Sequence, residues 1–164
     1  VKKLVVYYSF EGNTKLLSQT IAQNLDAEIL ELKIKNEVKR KGFMKYLWGG
    51  KSVFMKDKPE LEPIAINIDE YDVLIIGTPV WAGTFAPGLR TFFDKYNIQN
   101  KNIFLFCTHE GGQGKTLENM KSKLDMNNIV DCKDFVNVSK NIELSKNIAK
   151  KWVKETISEF NINK

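Results

Sequence analysis

The sequence predicts a three-layer α/β protein whose sheet holds five parallel strands. Three short runs are apolar at every position: Leu4-Val5-Val6-Tyr7-Tyr8, Val73-Leu74-Ile75-Ile76 and Ile103-Phe104-Leu105-Phe106-Cys107. Such runs suit strands buried on both faces, in the middle of a parallel sheet that helices cover. Two further runs, Ile29-Leu30-Glu31-Leu32-Lys33-Ile34 and Ile129-Val130-Asp131-Cys132-Lys133, are partly polar and belong at the sheet edges. Helical spacing fills the intervals, and this alternation implies right-handed parallel crossovers.

After the first strand, Leu17, Ile21 and Leu25 recur every four residues, with Asn13 or Thr14 placed to cap the helix. Residues 36–68 are less regular. A helix is expected at 43–48, broken at Gly49-Gly50, with Pro59 and Pro63 ahead of the third strand. Pro87 stands at a first helical position, followed by Leu89, Phe92, Phe93 and Tyr96. Leu117, Met120 and Leu124 mark another helix; Leu144, Ile148 and Trp152, then Val153, Ile157 and Phe160, mark the last. No internal repeat or flexible linker divides the chain, so residues 1–164 are expected to form one domain.

Composition removes several classes of function. A chain of 164 residues, 43% hydrophobic, buries enough surface to fold without disulfides or metals. The apolar runs fall far short of the roughly 20 residues a membrane-spanning helix needs, so no membrane span is expected. Val1-Lys2-Lys3 and the strand-like run after it lack the pattern of a secretion signal. Two cysteines, Cys107 and Cys132, with one histidine cannot build a Cys/His zinc framework, so no metal is expected. These features suit a reducing, cytoplasmic setting.

The net charge of +5 is unevenly placed. From Lys33 to Lys58 there are nine bases (Lys33, Lys35, Lys39, Arg40, Lys41, Lys45, Lys51, Lys56 and Lys58) against two acids, Glu37 and Asp57. The rest of the chain is therefore acidic on balance. A basic stretch with interleaved aromatics suits an anionic partner, and a solvated helix face has the same pattern. No nucleic-acid motif accompanies the charge, so nucleic acid is not the expected partner.

Each central strand ends in a segment rich in Gly, Ser, Thr and Asn, and open parallel sheets bind ligands beyond the carboxyl ends of their strands. The first segment is Ser9-Phe10-Glu11-Gly12-Asn13-Thr14. Its amides and hydroxyls, with the helix N-terminus that follows, suit a phosphate; an ordinary strand-to-helix turn reads the same way. The second is Gly77-Thr78-Pro79-Val80-Trp81-Ala82-Gly83-Thr84, where Trp81 either stacks on a planar ligand or packs under its own loop. The third, Thr108-His109-Glu110-Gly111-Gly112-Gln113-Gly114-Lys115-Thr116, nearly spells a nucleotide-binding G-x-x-x-x-G-K-[ST] motif. His109 occupies the place of its first glycine, and the motif normally follows the first strand, so that reading fails.

Taken together, Ser9-x-x-Gly12-Asn13-Thr14, Thr78-Pro79-x-Trp81 and Gly111-Gly112-x-Gly114 resemble the flavodoxins and flavodoxin-like flavoproteins over essentially the whole chain. The resemblance implies a doubly wound five-stranded parallel sheet ordered 2-1-3-4-5, with FMN at its carboxyl end. It places the FMN phosphate at Ser9, Gly12, Asn13 and Thr14, with backbone amides from Phe10 and Glu11. It lays Thr78, Pro79, Val80, Trp81, Ala82 and Gly83 along the isoalloxazine, with the Ala82-Gly83 peptide near the flavin N5. Thr108, His109, Glu110, Gly111 and Gly112 would meet the pyrimidine end through backbone N–H groups.

Two departures qualify the match: the chain is basic, and its third loop carries His109-Glu110 where many flavodoxins have a tyrosine. One flavin face is then open to substrate or covered by Tyr46 or Trp48. His109 reads either as a proton donor near the flavin or as a surface histidine without a role. Cys107 and Cys132 read as packing residues. The expected function is electron transfer by an FMN-binding protein, exchanging electrons with a redox protein partner. The alternatives are an FMN-dependent NAD(P)H or quinone reductase acting on a small acceptor, and a flavin-free, anion-responsive interaction module.

Overall fold

The structure, a computed structural model, describes residues 1–37 and 58–162. The helix expected at 43–48, Tyr46, Trp48 and most of the basic stretch lie outside the described residues. The elements are β1 Lys3–Tyr7, α1 Asn13–Leu25, β2 Glu28–Glu31, β3 Val73–Trp81, β4 Thr84–Phe85, α2 Pro87–Lys95, β5 Asn102–His109, α3 Thr116–Lys123, β6 Asn128–Val136 and α4 Ile142–Ile162. Five strands pair in parallel in the order β2-β1-β3-β5-β6, and β4 pairs antiparallel with the end of β3. With the parallel strands alone counted, this is the expected 2-1-3-4-5 order.

The sheet divides the core by side-chain alternation. Leu4, Val6, Leu74, Ile76, Ile103 and Leu105 face one side, beneath Leu89 and Phe92 of α2 and Leu117 and Met120 of α3. Val5, Val73, Ile75, Phe104 and Phe106 face the other, beneath Leu17 and Ile21 of α1 and Trp152 and Val153 of α4. Full burial of both faces explains why the central strands carry no polar side chain over Leu4–Val6, Val73–Ile76 and Ile103–Phe106.

Several boundaries differ from the expectation. β2 stops at Glu31: the Leu32 N–H still donates to Tyr7 O at 2.8 Å, but Ile34 bridges to Leu61 instead. β3 runs five residues past Ile76, to Trp81, and β5 runs on to His109. Pro79 is tolerated because the β1 pairing ends at Gly77, so its missing N–H removes nothing on that side. In α4 the buried stripe is Ser145, Ala149, Trp152 and Val153, whereas Leu144 is 57% and Ile148 38% exposed. Ser145 and Ala149 thus lie on the buried side of α4, which packs chiefly against α1, and Leu144 and Ile148 face outward.

Gly77 in β3 lies opposite Phe106, and a Cβ there would stand 2.1 Å from the ring's tip. Gly77→Ala is expected to lose about 1–3 kcal/mol in urea unfolding, the scale of an overpacked core. Adding Phe106→Leu should recover part of that loss; an additive double variant would show that the ring is not the cause.

Candidate functional site

Parallel pairing delivers three chain segments to one edge of the sheet. β1 ends beside Gly77, with the Tyr8 N–H donating to Gly77 O at 3.2 Å, and Pro79 pairs with Thr108. The segments after Tyr8, Trp81 and His109 therefore leave the sheet side by side.

In the first, Gly12 adopts φ 101, a conformation that side chains rarely allow. It lets the chain turn directly into α1, so Gly12 is the N-cap in place of the expected Asn13 or Thr14, and it brings no side chain to the cap. Ser9 supplies part of what a capping side chain would, its Oγ accepting from the Lys15 N–H at 3.2 Å. Thr14 is committed elsewhere, its hydroxyl lying 2.9 Å from that of Thr108, both buried. The first intrahelical bond runs from the Leu16 N–H to Gly12 O at 2.9 Å, which leaves the Asn13 and Thr14 amides outside the helix's own ladder. The Lys15 ammonium faces Glu31 at 3.2 Å, so the donors of this turn are amides and hydroxyls, aided by the helix dipole.

The second segment is a hairpin rather than the long loop expected. Val80 pairs with Phe85 and Trp81 with Thr84, so only Ala82 and Gly83 form the turn, at φ 47 and φ 75. Two successive positive φ values match the tight turn that suits the strand twist. The Thr78 hydroxyl serves the hairpin itself, accepting from the Ala86 N–H at 3.0 Å and donating to Pro79 O at 2.9 Å. Trp81 is half-buried, and its ring meets Tyr8 and Phe10 edge-on at 5.5 and 5.4 Å. Phe10 thus backs the tryptophan with its side chain.

The third segment begins at Glu110, since Thr108 and His109 still belong to β5. It is tied to the hairpin by the Lys115 N–H, which donates to Gly83 O at 2.8 Å. Asn119 of α3 adds a side-chain bond to Thr84 Oγ1 at 2.8 Å. His109 is neither idle nor exposed: Asp134 lies 2.8 Å from Nε2, and the Gly112 N–H donates to Nδ1 at 2.9 Å. Burial pushes the Cys107 thiol up to about 12 and raises that of Cys132, so both are poor nucleophiles packed in or against the core.

Ser9, Thr14, Trp81, Ala82, Gly83 and Thr108 are thus brought to one edge with the Glu110-Gly111-Gly112 loop. Sequence reasoning quoted Gly114 in its third motif without giving it a role, and missed Asn119 and Asp134; all three hold that edge together. Nothing in the sequence around Asp134 signalled its contact with His109.

The family model described as Flavodoxin matches residues 2–156 of the chain. A candidate flavoprotein from Bacteroides eggerthii DSM 20697 superposes with TM-score 0.76 at 20% identity, over 95% of this chain and 98% of its own. A flavoprotein from Lactobacillus acidophilus NCFM, solved in complex with FMN, gives TM-score 0.63 at 25% identity over 87% of this chain and 97% of its own. A flavodoxin from the domain Archaea gives 0.57 at 15% identity, over 95% and 99% of the two chains.

A Cβ on Gly114 would fall 2.6 Å from the Cα of Gly83, and the residue sits at φ 55. Gly114→Ala is expected to cost about 1–3 kcal/mol in denaturant unfolding, since neither backbone can yield cheaply. A variant within the error of the parent would mean that the two loops part without cost.

Proposed function

The chain belongs to the flavodoxin family, and from that premise we propose that it binds FMN at the carboxyl edge of its sheet and transfers electrons through it. The observation that carries the proposal is the meeting of three loops at that edge, joined by the Thr14–Thr108 hydroxyl pair and the Lys115–Gly83 backbone bond.

The residues present fit the group. A Cβ built on Gly12 meets nothing within 4 Å among the described residues, so the turn is open beside the Asn13 and Thr14 amides. Ser9, Gly12, Asn13 and Thr14 would hold the phosphate, with backbone amides from Phe10 and Glu11. A hydroxyl has one donor and two acceptor sites. With Thr108 donating to Thr14, the Thr14 O–H is left for a phosphate oxygen. Trp81, braced edge-on by Tyr8 and Phe10, offers a fixed aromatic neighbour for the isoalloxazine, and the Ala82-Gly83 turn offers its peptide. FMN, when bound, supplies reversible one- and two-electron chemistry, while the protein binds, orients and covers it.

A redox protein is the partner this reading favours. A reductase that acts directly on a small acceptor such as a quinone is the second reading, supported by the described third loop. That loop brings no aromatic ring over the site, and its His109 side chain turns toward Asp134. FMN-loaded protein mixed with NAD(P)H and a quinone separates the two: a carrier stays yellow until a separate reductase is added, and a reductase bleaches and turns over unaided. A colourless protein that takes up no FMN contradicts both readings and favours the flavin-free module.

The phosphate site has its own test. Thr14→Val is expected to weaken FMN binding by about 1–3 kcal/mol, the scale of a lost charge-assisted hydrogen bond. Riboflavin, which lacks the phosphate, should be nearly indifferent in the same titration. Equal losses for both ligands would put the phosphate elsewhere.

A further inference from the structure

His109 is the chain's single histidine, and its side chain is only 8% exposed at the end of β5. Both ring nitrogens are engaged: Nδ1 by the Gly112 N–H at 2.9 Å, Nε2 by Asp134 Oδ2 at 2.8 Å. An amide N–H only donates, so Nδ1 presents its lone pair and the ring proton sits on Nε2. A carboxylate only accepts, so Asp134 on β6 selects the same tautomer. The two contacts agree.

The loop that this ring touches has little else to hold it. Gly111 and Gly112 are exposed, Gly112 has φ 130, and a Cβ at either meets nothing within 4 Å among the described residues. Its bases are tied: the Asn137 N–H donates to His109 O at 2.9 Å, and the Lys115 N–H to Gly83 O at 2.8 Å. Between those anchors the tip is held by the imidazole.

We propose that His109 is a positioning residue for the cofactor: its neutral ring, with Asp134 fixing the tautomer, holds the Gly112 peptide and so shapes the loop at the flavin's pyrimidine end. The inference rests on the FMN reading above and refines it. The Gly112 amide is occupied by the ring, so the loop amides left for the flavin are those of Glu110 and Gly111. Protonating the imidazole puts a hydrogen on Nδ1, two donors then face each other, and the contact is lost. The charged groups on the elements around the ring are Asp131, Lys133 and Asp134 on β6, Glu110 and Lys115 beside it in the chain, and Glu118, Lys121 and Lys123 on α3; Asp134 is the one bonded to it.

A single histidine makes the test direct. In 15N-labelled protein without FMN, the ring is expected as the Nε2–H tautomer above its titration range. The Gly112 amide resonance should shift with the same midpoint as the ring. An Nδ1–H tautomer, or a Gly112 amide that ignores the titration, overturns the proposal. FMN affinity, read by flavin fluorescence, is expected to fall about tenfold as the ring protonates and in His109→Phe, the scale of one lost hydrogen bond. His109→Asn keeps an acceptor near the Nδ1 position and should retain most of the affinity while losing the pH dependence. FMN uptake that is the same at every pH and in His109→Phe overturns the positioning role and leaves the FMN reading standing. Wild-type protein that takes up no FMN at any pH fails that reading, and the positioning role falls with it.

Discussion

Everything at the candidate site depends on the in-register parallel pairing of β1, β3 and β5. Tyr7 pairs with Gly77 and Gly77 with Phe106, so the three strands run in register, and β3 and β5 continue past the end of β1 to Trp81 and His109. Parallel pairing sends every carboxyl end to the same edge, and burial on both faces fixes the register. A slip of one residue would exchange the two core faces along the whole strand. Leu4, Val5 and Val6, Leu74, Ile75 and Ile76, and Ile103, Phe104 and Leu105 are all fully buried, so such a slip has no solvent-facing alternative. The loops meet because the core permits one alignment.

On that base, polar side chains do the fine alignment. Thr78 closes the hairpin, Thr14 and Thr108 join the first and third segments, Ser9 receives a helix amide, and His109 ties the glycine tip to β6. Each of these side chains is held by a specific partner, as burial demands, since an unpaired buried donor or acceptor costs about 1–3 kcal/mol. The backbone groups that open toward the edge, by contrast, belong to the N-terminal turn of α1, where a helix cannot satisfy them itself. The edge thus pairs these side chains internally and leaves main-chain donors, with the Thr14 O–H, for a ligand.

The strands and the positions of the three segments were legible in the sequence because local chemistry declares them. Runs such as Val73-Leu74-Ile75-Ile76 show burial without reference to any neighbour, and Pro87 does open a helix. Contacts between distant residues were not legible. Thr14 and Thr108 are 94 positions apart and His109 and Asp134 are 25 apart, and nothing in either neighbourhood announces the other. Ala82 at φ 47 hid the hairpin, since alanine seldom takes a left-handed turn position and Gly83 alone suggested a looser loop. In α4, Leu144 and Ile148 had the right spacing for a core stripe, but Ser145 and Ala149 took the buried face of a helix that packs chiefly against α1.

The claim that the three segments form one binding site is tested most directly by amide hydrogen exchange with and without FMN. The account predicts slowed exchange in residues 9–14, 80–84 and 109–114 together, with a common dependence on FMN concentration, and little change elsewhere. Protection confined to one segment, or centred on the shallow groove beside Gln19, Gln23, Asp26 and Ile29, would contradict it.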